Sequence, residues 1–503
     1  MHRYLCIHGH FYQPPRENPW SGAAERQESA HPYHDWNQRI AAECYAPNAA
    51  APILDEDGRP ARRVSNYERI SFNFGPTLLG WMERGDPETY RAVLEADRSS
   101  RRRFSGHGSA IAQVCHHPIL PLAGARDKRT EVLWGRRDFE HRFGRRAEGM
   151  WLPETAVDLE SLEVLADCGI RFTLLAPGQA SRYRLDGETD WRDAADGGFD
   201  TSLPYRVALP SGRTIDIFFY DGPVSHAVAF ERLLDDGESF VDRLLGAFPE
   251  DGEPPRLVHI ATDGETYGHH HRHGEMALAY ALDRIESSGT ARITNYGEYL
   301  ERHPPTRQVE IAEETSWSCA HGVGRWREDC GCRGGRHPDW RQTWRAPLRE
   351  ALERLRDRLA ERYERAAAAC LEDPWAARDD YVEVILDGSA ESIDAFVARH
   401  ARGALDREQR SRTLRLLEMQ RQSLRMFTSC GWFFDEISGI ETVQILRYAG
   451  RALQLAEELF DESWEGEFLE WLERAPSNRP EYGNGRVVYE RRVRPARIAS
   501  GKT

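Results

Sequence analysis

Ile260-Ala261-Thr262-Asp263-Gly264-Glu265-Thr266-Tyr267-Gly268-His269-His270-His271 decides how this chain is read. The apolar run from Leu257 to Ile260 predicts a buried strand, and it stops at two carboxylates, a glycine and a histidine cluster. Barrels and open α/β sheets carry their chemistry on loops beyond strand ends. Two acids at i and i+2 around a glycine serve no purpose in core packing, so Asp263 and Glu265 are placed to act on a ligand.

Met150-Trp151-Leu152-Pro153 repeats the pattern, with Glu154 at the strand's end and Thr155-Ala156-Val157-Asp158 opening a helix. If the two strands are parallel neighbours, Glu154 and Asp263 share one rim. A carboxylate pair facing one cavity is the minimum apparatus for cleaving a glycosidic bond.

Outward from these stretches, strands and helices alternate. Leu5-Cys6-Ile7 predicts a first strand, and His8-Gly9-His10-Phe11-Tyr12-Gln13-Pro14-Pro15 a polar, aromatic loop suited to gripping sugar hydroxyls. Residues 16–63 read as an excursion over the rim. Ile70 to Phe74 alternates as a strand, and Pro76 starts a helix through Leu79 and Trp81. Leu159, Leu162 and Leu165 mark a helix closed by Gly169. Ile170–Leu175 and Ile215–Tyr220 are further strands, Met276 to Ile285 a helix, and Arg292-Ile293-Thr294 the last strand. The expected class is α/β, with repeats approaching a closed or nearly closed β/α barrel. Beyond Pro304 the chain turns helical: Leu348, Leu352, Leu355 and Leu359 share one face, as do Leu414, Leu417, Leu424 and Phe427.

The 503 residues allow several domains and a large core. A formal charge of −15 argues against nucleic acid or an anionic membrane as partner. No apolar run is long enough to cross a bilayer, and Met1 to His8 reads straight into a strand without a signal-peptide core. Nine scattered cysteines do not form a secreted disulfide framework. The expectation is a cytoplasmic enzyme, its oligomeric state open.

Four blocks occur in order: His8/His10 to Gln13-Pro14, Gly106 to Pro118, Trp151-Leu152-Pro153-Glu154, and Asp263 to His269. Together they resemble glycoside hydrolase family 57, the α-glucan-active retaining enzymes. Ser316-Trp317-Ser318, Gly324-Arg325-Trp326 and Cys430-Gly431-Trp432-Phe433-Phe434 are similar to aromatic loops that the helical part contributes to such active sites. The whole looks most like a branch carrying a C-terminal domain of unknown function, DUF3536. The resemblance implies an incomplete (β/α)7 barrel at 1–303, a helical domain closing the cleft at 304–477, and a polar tail at 478–503 that relatives continue past. It makes Glu154 the nucleophile and Asp263 the general acid/base for an α-glucan such as glycogen or maltodextrin, by hydrolysis or transfer. His10, Gln13, His117, Trp151, Glu265, His269, Trp317, Trp326 and Trp432 are the expected substrate contacts. No cofactor is implied.

The division of labour has a physical basis. A nucleophile must stay ionised, whereas the acid needs a pKa raised by burial or a nearby like charge. Glu265 is a candidate source of that charge. Two rivals remain open. His269 and His273, at i and i+4 with Asp263 as a third ligand, suit a metal-dependent carbohydrate deacetylase; a non-catalytic glucan-binding protein is the other. Cys319, His321, Cys330 and Cys332 are metal-capable, but Cys-x-Cys is not the usual zinc-knuckle spacing, and the expectation is free thiols without metal.

Overall fold

The computed structural model describes residues 3–250, 254–335 and 337–497. Its spine is β1 (Arg3–Phe11), whose residues are buried from Tyr4 onward. The other strands that matter for the site are β2 (Ser71–Phe74), β3 (Ala112–Gln113), β4 (Met150–Trp151), β5 (Phe172–Leu175), β6 (Thr214–Phe219), β7 (Arg256–Asp263) and β8 (Arg292–Ile293). β1 runs further than Leu5-Cys6-Ile7. His8 and His10 lie inside the strand rather than in a loop, because their polar atoms find buried partners on β2.

β1 pairs in parallel with β7 from Arg3↔Arg256 to His10↔Asp263. On its other edge it pairs with β2, His8↔Ser71 to Phe11↔Phe74, and at Tyr4 and Leu5 with β8. β3 pairs in parallel with β4, and β5 with β6. Single parallel bridges join Phe72 to Ala110 and Gly149 to Phe172. The Asp221 N–H, just beyond β6, donates to the His259 carbonyl of β7 at 2.7 Å. β6 also continues into a mixed sheet through Tyr205–Ala208, Arg307–Ile311, Ala180–Leu185 and Arg192–Asp193.

Helices return the chain between strands: α1 (Pro76–Gly85), α2 (Leu159–Asp167), α3 (Gly222–Phe230) and α4 (Gly274–Ser288). Pro76 occupies the first turn of α1, where its missing N–H costs nothing. α2 begins four residues later than Thr155, since Asp158 accepts from the Ser161 N–H and fixes the N-cap there. α4 begins at Gly274, preceded by His273 in left-handed backbone. His269 and His273 therefore sit in turns and share no helix face, which removes the geometry of the metal-dependent reading.

Contacts divide the chain into two compact units. The first comprises Met1–Gln13, Arg26–Gln113 and Phe139–Trp317; the second, Pro14–Glu25, Val114–Asp138 and Ser318–Thr503. The second unit is helical, built on α5 (Arg345–Ala367), α6 (Arg407–Arg425), α7 (Cys430–Phe433) and α8 (Ile440–Phe460). Leu348, Leu352, Leu355 and Leu359 form the buried stripe of α5, and Leu417 and Leu424 that of α6. The stretch expected as a polar tail contains α9 (Gly485–Arg492), which buries Val488 and Tyr489. Among the described residues, no helix is long and apolar enough to cross a membrane.

Candidate active site

Strand periodicity delivers the site. Side chains two apart point to one face of a strand, so Tyr4, Cys6, His8 and His10 line one face of β1, and Leu257, His259, Ala261 and Asp263 the matching face of β7. Tyr4, Cys6, Leu257 and Ala261 pack in one cluster with Trp151, Phe172, Leu174 and Phe218. The face thus changes from apolar to polar toward the strands' C-terminal ends.

Trp151 separates that core from the polar end. It is fully buried, and the His8 and His10 rings lie nearly parallel to it at 5.0 and 4.8 Å. Asn73 links the histidines: its Oδ1 lies 3.0 Å from His8 Nε2, and its Nδ2 lies 2.9 Å from His10 Nδ1 and donates to Gln113 Oε1 at 2.7 Å. Burial lowers the His8 pKa to about 3, so that ring is neutral. An amide nitrogen only donates, which makes His10 Nδ1 the acceptor and puts its proton on Nε2.

Glu154 adopts left-handed backbone, φ 57° and ψ 20°, and Thr155 follows at φ 50°. Such a conformation costs about 1–3 kcal/mol per non-glycine residue and persists only where surroundings enforce it. Here they do. The Trp317 N–H donates to the Glu154 carbonyl at 3.0 Å, and Val157 pairs with Thr315. Gln179 accepts from the Thr155 hydroxyl and donates to the Thr155 carbonyl, both at 2.8 Å. The clamp aims the Glu154 side chain so that Trp317 Nε1–H donates to Oε2 at 3.0 Å. A hydrogen bond given to a carboxylate favours its charged form.

Asp263 is the complement. Its side chain is reachable by water, yet protein surrounds it closely enough to strip much of its hydration. That loss of solvation, with the Glu154 charge second, raises its pKa to about 7. Asp263 keeps its proton up to near neutrality within electrostatic reach of Glu154, whose Oε2 receives a hydrogen bond; this is the contrast an acid and a nucleophile need.

Glu265 has a different task from the one expected. The 3-10 turn Gly264–Thr266 rotates it away from Asp263's direction, and it accepts from the Tyr12 N–H at 3.1 Å and the Tyr45 hydroxyl at 2.5 Å. Burial, then the Asp263 charge, pushes its pKa to about 8. The like charge acting on Asp263 is that of Glu154, while Glu265 is raised by its own burial and by Asp263.

Other expected contacts fall into two groups. In the first unit, Gln13 donates to the Tyr12 carbonyl, His269 pairs with Glu43, and the buried Trp151 supports the two histidine rings. In the second unit, His117 is buried against the Ser429 hydroxyl at 2.7 Å, and burial lowers its pKa to about 3. Trp326 and Trp432 are fully buried, Trp432 donating to the Arg345 carbonyl, so neither ring offers a face to a sugar. Asn73, Gln113, Tyr45 and Gln179 escaped the sequence reading. Only the strand parity of Asn73 and Gln113 hinted at them.

Residues 68–312 match the profile of glycosyl hydrolase family 57. Just under half of the chain is thus similar to the family 57 glycosyl hydrolases. Residues 340–503 match DUF3536, a domain of unknown function. The family 57 match includes Glu154, Asp263 and Asn73, while β1 with its histidines precedes it. An α-amylase of Pyrococcus horikoshii is 22% identical over 260 residues, 50% of this chain and 37% of its own length. A 4-α-glucanotransferase of Thermococcus litoralis is 21% identical over 260 residues, 50% of this chain and 36% of its own. The chain thus matches little more than a third of these curated relatives. Among solved structures, an exo-type maltose-forming amylase of Pyrococcus sp. ST04 superposes with a TM-score of 0.73 at 16% identity, covering 98% of this chain and 93% of that one. The fold is shared: an α/β part followed by a helical region.

Proposed function

We propose that this chain is a retaining glycoside hydrolase or glucanotransferase acting on α-glucans by double displacement. Glu154 attacks the anomeric carbon while Asp263 gives its proton to the departing glycosidic oxygen. In the second step Asp263, now ionised, takes a proton from water or from a sugar hydroxyl. That oxygen attacks the anomeric carbon and Glu154 leaves. The observation carrying this reading is the contrast between the two acids: Asp263 raised to about 7 beside a Glu154 that receives the Trp317 N–H.

The strand pairings support an incomplete (β/α)7 barrel beneath the site. β7, β1 and β2 are paired, Phe72 bridges to Ala110 beside β3, β3 pairs with β4, and Gly149 bridges to Phe172 of β5. β5 pairs with β6, and the Asp221–His259 bond leads back to β7. The curated relatives named above, an α-amylase and a 4-α-glucanotransferase, indicate the substrate class.

Maltoheptaose with product analysis by mass spectrometry tests the proposal. Shorter chains alone mean hydrolysis, and a ladder of shorter and longer chains means transfer. Glu154→Gln and Asp263→Asn should each lower turnover by about a hundredfold or more without unfolding the protein. Near-normal turnover in either variant overturns the assignment.

A further inference from the structure

In the second unit, the loop between Ser318 and the start of α5 holds three thiols and an imidazole at one point. Cys319, His321, Cys330 and Cys332 each place a ligand atom within 4.8 Å of all the others. Cys319 Sγ lies 3.8 Å from Cys330 Sγ and 3.7 Å from Cys332 Sγ, and Cys332 Sγ lies 3.6 Å from His321 Nδ1. We infer that these four residues form a structural zinc site.

The distances carry the argument. A tetrahedral Zn2+ with Zn–S of about 2.3 Å and Zn–N of about 2.0–2.1 Å sets its sulfurs about 3.8 Å apart and sulfur to nitrogen about 3.5–3.6 Å. Three of the six edges, at 3.8, 3.7 and 3.6 Å, match that tetrahedron, and the other separations are within 4.8 Å. A disulfide accounts for two sulfurs and leaves the third thiol and the imidazole unexplained; all nine cysteines carry free thiols. The ligands arrive as two x-spaced pairs, Cys319-x-His321 and Cys330-x-Cys332. Gly331, at φ 83°, supplies the left-handed bend that lets the flanking sulfurs converge.

Charge agrees with geometry. Zn2+ with three thiolates and a neutral imidazole has a net charge of about −1. Arg345 is fully buried, donates Nη1 to the Cys332 carbonyl at 3.0 Å and Nη2 to the Phe433 and Phe434 carbonyls. Arg325, also buried, acts electrostatically on Cys332. Among the described residues, no carboxylate reaches ion-pair distance of either guanidinium. Asp435, whose field touches Arg345, directs both oxygens to the Gly334 N–H. An anionic metal centre would compensate the two buried cations. Among the described residues, the loop's regular structure is the 3-10 turn Gly324–Trp326, and a metal would add a central tie to the hydrogen bonds that Arg345, Arg349 and Asp435 make with it.

The test is elemental analysis of the full-length protein purified under reducing conditions without chelator. The expected result is about one zinc per chain. Cobalt exchange should give the visible absorption of tetrahedral cobalt with thiolate charge-transfer bands. Cys319→Ser and His321→Ala should each lose most of the metal, and Cys370→Ser, altering a cysteine outside the cluster, should keep it. His321 is exposed, so its variant folds even if Cys319→Ser does not. A metal-free protein that takes up no added zinc overturns the inference, as does a disulfide between any two of the three cysteines found by mass mapping without reductant.

Discussion

At the scale of single residues, Trp317 joins the sequence reading to the chemistry. Its place in an aromatic loop suggested a sugar platform; the structure gives it a firmer duty, as donor to Glu154 Oε2. Trp317→Phe keeps an aromatic ring, a smaller one, and removes the donor. A hydrogen bond to a charged group is worth about 1.5–3 kcal/mol, so kcat/KM should fall about tenfold to a hundredfold, with a smaller change in melting temperature. An unchanged kcat/KM would show that the bond orients nothing. In the proposed mechanism, Asp263 sets the pH limb. It must carry its proton when the bond breaks, so kcat/KM should decline as pH rises through about 7. A profile flat through about pH 8 would place the acid elsewhere. The placement of both carboxylates was legible because each follows an apolar strand, Asp263 as the last residue of β7 and Glu154 in the turn after β4, whereas the left-handed backbone that aims Glu154 left no mark in composition.

At the scale of elements, β1 and its turn partner fix the geometry. Gly264, directly after Asp263, leaves room for the Phe11 ring: a Cβ there would lie 2.2 Å from Phe11 Cδ1. That ring stacks on Phe74 at 4.8 Å and meets the edges of Tyr45 and Tyr67, so it has nowhere to go. Gly264→Ala should therefore destabilise by about 1–3 kcal/mol and, by displacing Asp263, cost activity on the order of a hundredfold. Gly403→Ala, with nothing within 4 Å, is the control. Equal behaviour of the two variants would show that the turn tolerates slack. β7 was readable from its apolar run. The length of β1 was not, because two histidines look like a loop until Ser71 and Asn73 are beside them. Trp326 and Trp432 misled for the opposite reason: sequence shows a ring but not which of its faces is covered.

At the scale of the whole molecule, the alternation of strand and helix and the leucine stripes of α5 and α6 made the α/β part and the helical region legible. What sequence could not give was the interleaving, since residues 14–25 and 114–138 belong with the helical unit. Global stability also registers the site. A carboxyl whose folded pKa exceeds its unfolded value binds its proton more tightly when folded, so ionising it costs stability. For Asp263 that cost is absent below its ordinary value of 3.8, grows as pH rises to about 7, and is constant above. Asp263→Asn removes the cost. Its melting temperature should match the parent's near pH 4 and exceed it above about pH 7; a gap that does not depend on pH would contradict the raised pKa.

The most direct measurement is covalent trapping. A fluorosugar with an α-fluoride leaving group forms the glycosyl ester readily and hydrolyses slowly, and peptide mass spectrometry then locates the sugar. The expected result is one glucosyl adduct on the peptide containing Glu154, lost in Glu154→Gln. An adduct on another carboxylate, or turnover of the same donor with inversion at the anomeric carbon, would contradict the paired roles of Glu154 and Asp263.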